Sequence, residues 1–139
     1  MLRERNYRIV RLTRENKLDQ FISMRLAQFN NKWTSLSGDY EITRFRETPE
    51  EIDYYYDQIT TKAKELSQVL SGVPTLDLSY ERLRAPGGHL PVLEFLGLPD
   101  VPVTSPFRQQ RHGSQREAIE NYDELKAYSA TELAQYFVD

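Results

Sequence analysis

Apolar positions along the chain fall into short periodic stretches divided by turn residues. Arg8-Ile9-Val10-Arg11-Leu12 reads as a short strand. Asn16 fits a helix N-cap, with Asp19 three positions on, where a carboxylate meets free helix amides. Leu18, Phe21, Ile22, Leu26, Phe29 and Trp33 then recur at helical spacing and predict one buried stripe, which Asn30 and Asn31 bring to an end. Ser37-Gly38-Asp39 is a turn signal, and Tyr40 to Phe45 alternates as a short extended segment.

Thr48-Pro49-Glu50-Glu51 starts a second helix: Thr48 caps, Pro49 suits the first helical position and Glu51 completes a capping box. Ile52, Tyr55, Tyr56, Ile59, Ala63, Leu66 and Leu70 continue it, Gly72 suits its C-terminal cap, and Pro74 prevents continuation. Thr75 to Tyr80 is a second strand. Helices between two strands imply a crossover and parallel pairing. Beyond the break at Gly87-Gly88, His89 to Leu96 predicts a short helix closed by Gly97. Leu98 to Ser114, with Pro99, Pro102, Pro106 and Gly113, is an extended connection. Gln115 to Ala127 predicts one helix, and Ser129-x-x-Glu132 caps a last one holding Leu133, Tyr136 and Phe137. The expectation is an α/β chain of short parallel strands with flanking helices, residues 1–139 forming one domain.

Composition narrows the function classes. With 39% hydrophobic and 28% charged residues the chain belongs among folded globular proteins. A net charge of −3 argues against a general nucleic-acid or anionic-membrane binder. No apolar run reaches membrane-span length, and no secretory pattern follows the Arg-rich start, so a cytoplasmic location is the default expectation. Zero cysteines excludes disulfides, thiolate zinc sites and a Cys nucleophile. His89 and His112 show no metal-ligand spacing with each other or with a carboxylate cluster, so no metal is expected.

Three segments carry candidate chemistry: Leu12-Thr13-Arg14-Glu15-Asn16-Lys17-Leu18-Asp19-Gln20-Phe21-Ile22-Ser23 at a strand–helix junction; Leu78-Ser79-Tyr80-Glu81-Arg82-Leu83 followed by Glu94-Phe95-Leu96-Gly97; and Phe107-Arg108-Gln109-Gln110-Arg111-His112-Gly113-Ser114 before Glu120-Asn121-Tyr122-Asp123-Glu124-Leu125. In this order the set resembles PAPS-dependent sulfotransferases, especially bacterial carbohydrate and lipopolysaccharide types, across about residues 8 to 128. The resemblance implies that Arg14 and Ser23 contact the 3′-phosphate of PAPS or PAP, that Tyr80 lies near the adenine, and that the basic loop with Arg108 and Arg111 closes over the 3′-phosphate. A phosphate monoester does want a guanidinium fork and hydroxyl donors.

The family's phosphate loop and catalytic base find no match in this chain. The resemblance therefore implies the C-terminal half of a partial P-loop-type three-layer fold, with the N-terminal phosphate-loop half absent. In an intact enzyme it would help move a sulfonate from PAPS to a carbohydrate or glycolipid hydroxyl. The chain alone is expected to be inactive, no catalytic residue is assigned, and the edge of the first strand is expected to stand open to homodimerisation. Two alternatives stay open. One is a non-catalytic PAP- or nucleotide-binding module. The other is a helical protein-interaction domain, in which Arg14, one of five arginines in the first fourteen residues, merely pairs with glutamates and Ser23 is an ordinary boundary residue.

Overall fold

Two five-residue strands pair in parallel, in the register Ile9↔Thr75 through Thr13↔Ser79. The structure, a computed structural model, describes residues 7–111, 113–128 and 131–138. In chain order these form β1 (Ile9–Thr13), α1 (Lys17–Asn30), α2 (Pro49–Val69), β2 (Thr75–Ser79), α3 (Tyr80–Arg84), α4 (Leu90–Leu96), α5 (Gln115–Ala118), α6 (Tyr122–Tyr128) and α7 (Thr131–Ala134), with a 3-10 turn at Ser35–Ser37. The class is mixed α/β with a two-stranded parallel sheet and several helices. Arg3, Arg5, His112 and the Ser129 cap lie outside the described residues.

The chain divides into two compact units, each made of two stretches: Met1–Glu15 with Thr61–Thr104, and Asn16–Thr60 with Ser105–Asp139. The first unit is built on the sheet. Strand alternation puts Arg11 and Asp77, opposite each other in the register, on one face, where they form an ion pair. Arg11 Nη2 donates to Asp77 Oδ2 at 2.8 Å and Nη1 to Ser67 Oγ at 2.6 Å. The other face carries Val10, Leu12, Leu76 and Leu78, of which Leu78 is buried while Leu12 is 52% exposed. Beyond α2, Leu70 and Val73 are buried and Gly72 takes φ +74°, a left-handed turn that favours glycine. Gly88 is required for a different reason: a Cβ there would lie 2.1 Å from the Arg82 carbonyl oxygen and 2.6 Å from that of Leu83, at the end of α3.

The second unit holds the larger core. Leu18, Phe21, Ile22 and Leu26 of α1 pack with Phe45, Ile52, Ala118, Ile119, Tyr122, Leu125, Leu133 and Phe137. Burying each large apolar side chain contributes about 1.5–3 kcal/mol. Aromatic rings interlock within it, with centroids of Phe21 and Tyr55 5.2 Å apart and of Tyr122 and Phe137 5.4 Å apart. Glu47 is buried beside this core. Its Oε2 accepts from Arg25 Nε at 2.6 Å, its backbone amide donates to Asn121 Oδ1 at 3.2 Å, and Asn121 Nδ2 returns a bond to its carbonyl at 2.8 Å.

Several expectations are corrected. The helix expected over Gln115–Ala127 is two helices, because Ile119 leaves helical geometry to bridge Phe45. Phe45 N donates to the Ala118 carbonyl at 2.9 Å and Glu120 N to the Phe45 carbonyl at 2.8 Å, bonds that a continuous helix would have kept for itself. The same bridge is the one ladder contact of the Tyr40–Phe45 segment, which otherwise has no strand geometry. Trp33 is 62% exposed, because α1 ends at Asn30 and Asn31 turns left-handed at φ 49°, taking it off the helical stripe, and Phe29, still within α1, is 42% exposed. Leu66, expected on the buried stripe of α2, is 44% exposed. Tyr80 opens α3 rather than closing β2, since the Ser79 hydroxyl accepts from Arg82 N at 3.1 Å and caps a new helix.

Candidate functional site

In the first unit, the carboxyl ends of both parallel strands present polar side chains. Arg14 follows β1 directly after Thr13, and Tyr80 follows β2 directly after Ser79. The Arg14 guanidinium carbon lies 4.4 Å from the Tyr80 ring centroid, and its Nε lies 3.2 Å from Glu81 Oε1. The guanidinium of Arg84 also approaches the ring, at 5.9 Å. Glu81 is fixed in turn, its Oε2 accepting from the Glu15 amide at 3.1 Å, while Glu15 Oε1 accepts from the Ser79 hydroxyl at 2.6 Å. A cation held over an aromatic face is stabilised by about 0.5–1 kcal/mol when exposed. The geometry therefore presents a guanidinium stacked on a phenol ring, both half-buried, with a carboxylate opposing the charge.

The second unit holds Ser23, Arg108 and Arg111. Ser23 Oγ donates to the Asp19 carbonyl at 2.8 Å, one turn earlier in α1, so its proton is spent locally and its lone pairs remain. Arg111 Nη2 donates to Asp19 Oδ1 at 2.8 Å, and Gln115 Nε2 donates to the same oxygen at 3.2 Å. Gln115 is almost fully buried and also ties the C-terminal segment, donating to the Tyr136 carbonyl at 2.9 Å and accepting from Val138 N at 2.9 Å. Arg108 pairs with Asp39, its amide donates to Ser35 Oγ at 2.9 Å, and Gln110 Nε2 donates to the Thr34 carbonyl at 3.0 Å. These bonds seat residues 108–111 on the 34–39 turn.

A cleft of 210 Å³ results, lined by Leu26, Asp39, Tyr40, Thr43, Arg108, Gln110 and Arg111. Burial raises the Tyr40 phenol above its ordinary value of 10.0, so it remains an O–H donor at neutral pH. Of the five residues singled out from sequence, Arg14 and Tyr80 meet in the first unit, and Arg108 and Arg111 line one cleft in the second. Ser23 is not among the lining residues of that cleft. Asp39, Tyr40 and Thr43 were missed because they were read only as a turn and a short extended segment, with nothing local to tie them to residues 108–111. The turn signal at Ser37-Gly38-Asp39 was the one hint of a loop on which a distant segment sits.

Among the described residues, no group of three or more His, Asp or Glu side chains could share a metal ion, and no helix is long and apolar enough to cross a membrane. Searches of protein-family models, curated proteins and solved structures find no match to this chain.

Proposed function

We propose that this chain holds the 3′-phosphate end of PAPS, or of its product PAP, as part of a P-loop-type sulfotransferase acting on a carbohydrate or glycolipid hydroxyl. The carrying observation is the stack of Arg14 on Tyr80, 4.4 Å from guanidinium carbon to ring centroid, just past the ends of two parallel strands. Open α/β sheets take ligands outside the carboxyl ends of their strands. Arg14 offers a fork for a phosphate monoester in exchange for Glu81, and base–aromatic stacking on a ring such as Tyr80 contributes about 1–3 kcal/mol.

Binding without turnover is the expected behaviour of the purified chain. The 5′-phosphosulfate needs a cradle of backbone amides on a flexible turn, and the first glycine of the sequence is Gly38, beyond α1. The test is a thermal-shift titration with PAP against AMP. A PAP concentration of 100 times Kd stabilises by about 2.7 kcal/mol, whereas AMP, lacking the 3′-phosphate, gives a smaller shift. Equal shifts, or none, defeat the proposal, and sulfonate transfer from PAPS by the purified chain defeats the claim of inactivity.

A second reading, a protein-interaction domain, is favoured by the apolar side chains that the first unit leaves exposed: Leu12, Leu66, Val69 and Leu98 are 52%, 44%, 65% and 52% accessible. In that reading Arg14 and Ser23 serve only their internal partners, Glu81 and the Asp19 carbonyl.

A further inference from the structure

Beyond α4 the chain reads Leu98-Pro99-Asp100-Val101-Pro102-Val103, two apolar–proline pairs separated by one residue. The segment starts from a fixed point: Gly97 is left-handed at φ 71°, and Leu98 N donates to the Leu93 carbonyl at 2.9 Å. From there it takes neither helix nor strand, and each of its residues is exposed. Residues 99–104 make no hydrogen bond to any described residue. Leu98, Val101 and Val103 therefore show large apolar side chains to solvent within one short run. An ordinary surface exposes such side chains singly.

Local sterics hold the run extended. Each proline fixes its own φ near about −65° and bars the residue before it from the helical region. Leu98, Pro99, Val101 and Pro102 are all restricted in this way. The favoured geometry is polyproline II, with three residues per turn and a rise of about 3.1 Å per residue. On that helix Leu98 falls in line with Val101, and Pro99 with Pro102, each pair one turn apart. The two lines make one apolar face, and Asp100 occupies the remaining edge. A sheet edge is a poorer receptor for this segment. In an extended strand, positions 99 and 102 direct their backbone groups to opposite edges, so either edge offered to a partner strand lacks a donor.

We infer that Leu98–Val103 is a docking segment for a partner domain that reads a polyproline II helix in an aromatic-lined groove, each apolar–proline pair filling one slot between rings. The prolines have already removed much of the freedom that binding would otherwise cost. Between Phe95 and Phe107 the one charge is Asp100, so the partner's rim is neutral or basic and not acidic. The segment includes none of Arg14, Ser23 and Tyr80, and the inference stands whether or not the chain takes a nucleotide.

The test is an NMR titration of the ¹⁵N-labelled full chain with a panel of purified SH3 and WW domains, each also as a variant whose groove tryptophan is replaced by alanine. Saturable shifts are expected at residues 98–103 with at least one intact domain and not with its groove variant. Val101→Ser is expected to weaken that binding about tenfold, the loss of one buried aliphatic side chain. Pro99→Ala and Pro102→Ala are each expected to weaken it at least about fivefold, through a lost contact and a looser free segment. Asp100→Ala, on the edge turned from the groove, is expected to change affinity less than about twofold. All four positions are exposed, so unchanged amide shifts elsewhere in the chain will confirm that the variants fold. The inference is overturned if no domain of the panel shifts residues 98–103, if the groove variants bind equally well, or if the proline and valine variants leave the affinity unchanged. It is also overturned if these residues shift on concentrating the free chain, which makes the occupant a second copy. PAP binding, measured apart, bears on the nucleotide reading alone.

Discussion

The Arg14 guanidinium lies over the Tyr80 ring while its Nε faces Glu81, so one side chain meets both an aromatic face and a carboxylate. Under the nucleotide reading, Arg14→Gln lowers PAP affinity at least about tenfold, because a charge-assisted bond to the phosphate is lost. Its effect on stability is expected to stay within about 1 kcal/mol, as for other partly exposed ion pairs. Isothermal titration with PAP beside urea denaturation separates the two effects. A large loss of stability with unchanged affinity would make Arg14 structural.

Glu47 offers a contrasting case, since its side chain is only 5% exposed and its partner Arg25 25%. Glu47→Ala leaves Arg25 and the Thr48 amide without their acceptor and is expected to cost about 3 kcal/mol, the low end for breaking a buried pair, because Arg25 regains water. Glu47→Gln, which keeps a carbonyl for the Thr48 amide, is expected to cost less. Urea midpoints of the two variants check the order.

Gly88→Ala places a methyl group against the carbonyl oxygens that close α3. Backbone atoms yield less readily than a flexible side chain, and overpacking costs about 1–3 kcal/mol. A lowered Tm is expected, and an unchanged one would show that the turn relaxes freely. Gly38→Ala is the useful comparison, since φ +94° is unfavourable there but nothing lies within reach of the new methyl group.

Stability should decline at both ends of the pH scale for different reasons. The hydrogen bond from Arg11 holds the Asp77 carboxyl below its ordinary 3.8, so the folded chain keeps it ionised where the unfolded chain takes a proton. That contribution is complete above the unfolded value and is lost as pH falls through the folded one. It is modest and salt-sensitive, because Asp77 is 58% exposed. Burial raises Tyr40 and Tyr136 above 10.0, so their contribution is present below pH 10.0 and is lost above it, as the unfolded chain ionises first. Urea midpoints from pH 3 to 11 test both limbs, with Asp77→Asn flattening the acid one.

What the sequence made legible was local. Asn16, whose side chain accepts from Asp19 N at 3.0 Å, and Gly97, left-handed at φ 71°, act within a turn of their own position and were read correctly. So was the parallel pairing, which follows from the helices between two strands. What stayed hidden depends on distant partners. Ile119 leaves its helix only because Phe45 is present to receive it, and Asp19 meets Arg111 from 92 positions away. The same limit applies to the cleft: its arginines were visible as a basic loop, but Tyr40 and Thr43 gain meaning only once that loop is seated on the turn before them.

Because each unit draws on two separated stretches of chain, no single cut releases either one whole. Expressing residues 1–60 and 61–139 separately would part β1 from β2 and α1 from α5 and α6 at once, so each piece should be unfolded by itself. The same cut made by a protease at the Thr60–Thr61 bond should leave fragments that remain associated until denatured, and mixing the two pieces should restore what neither possesses.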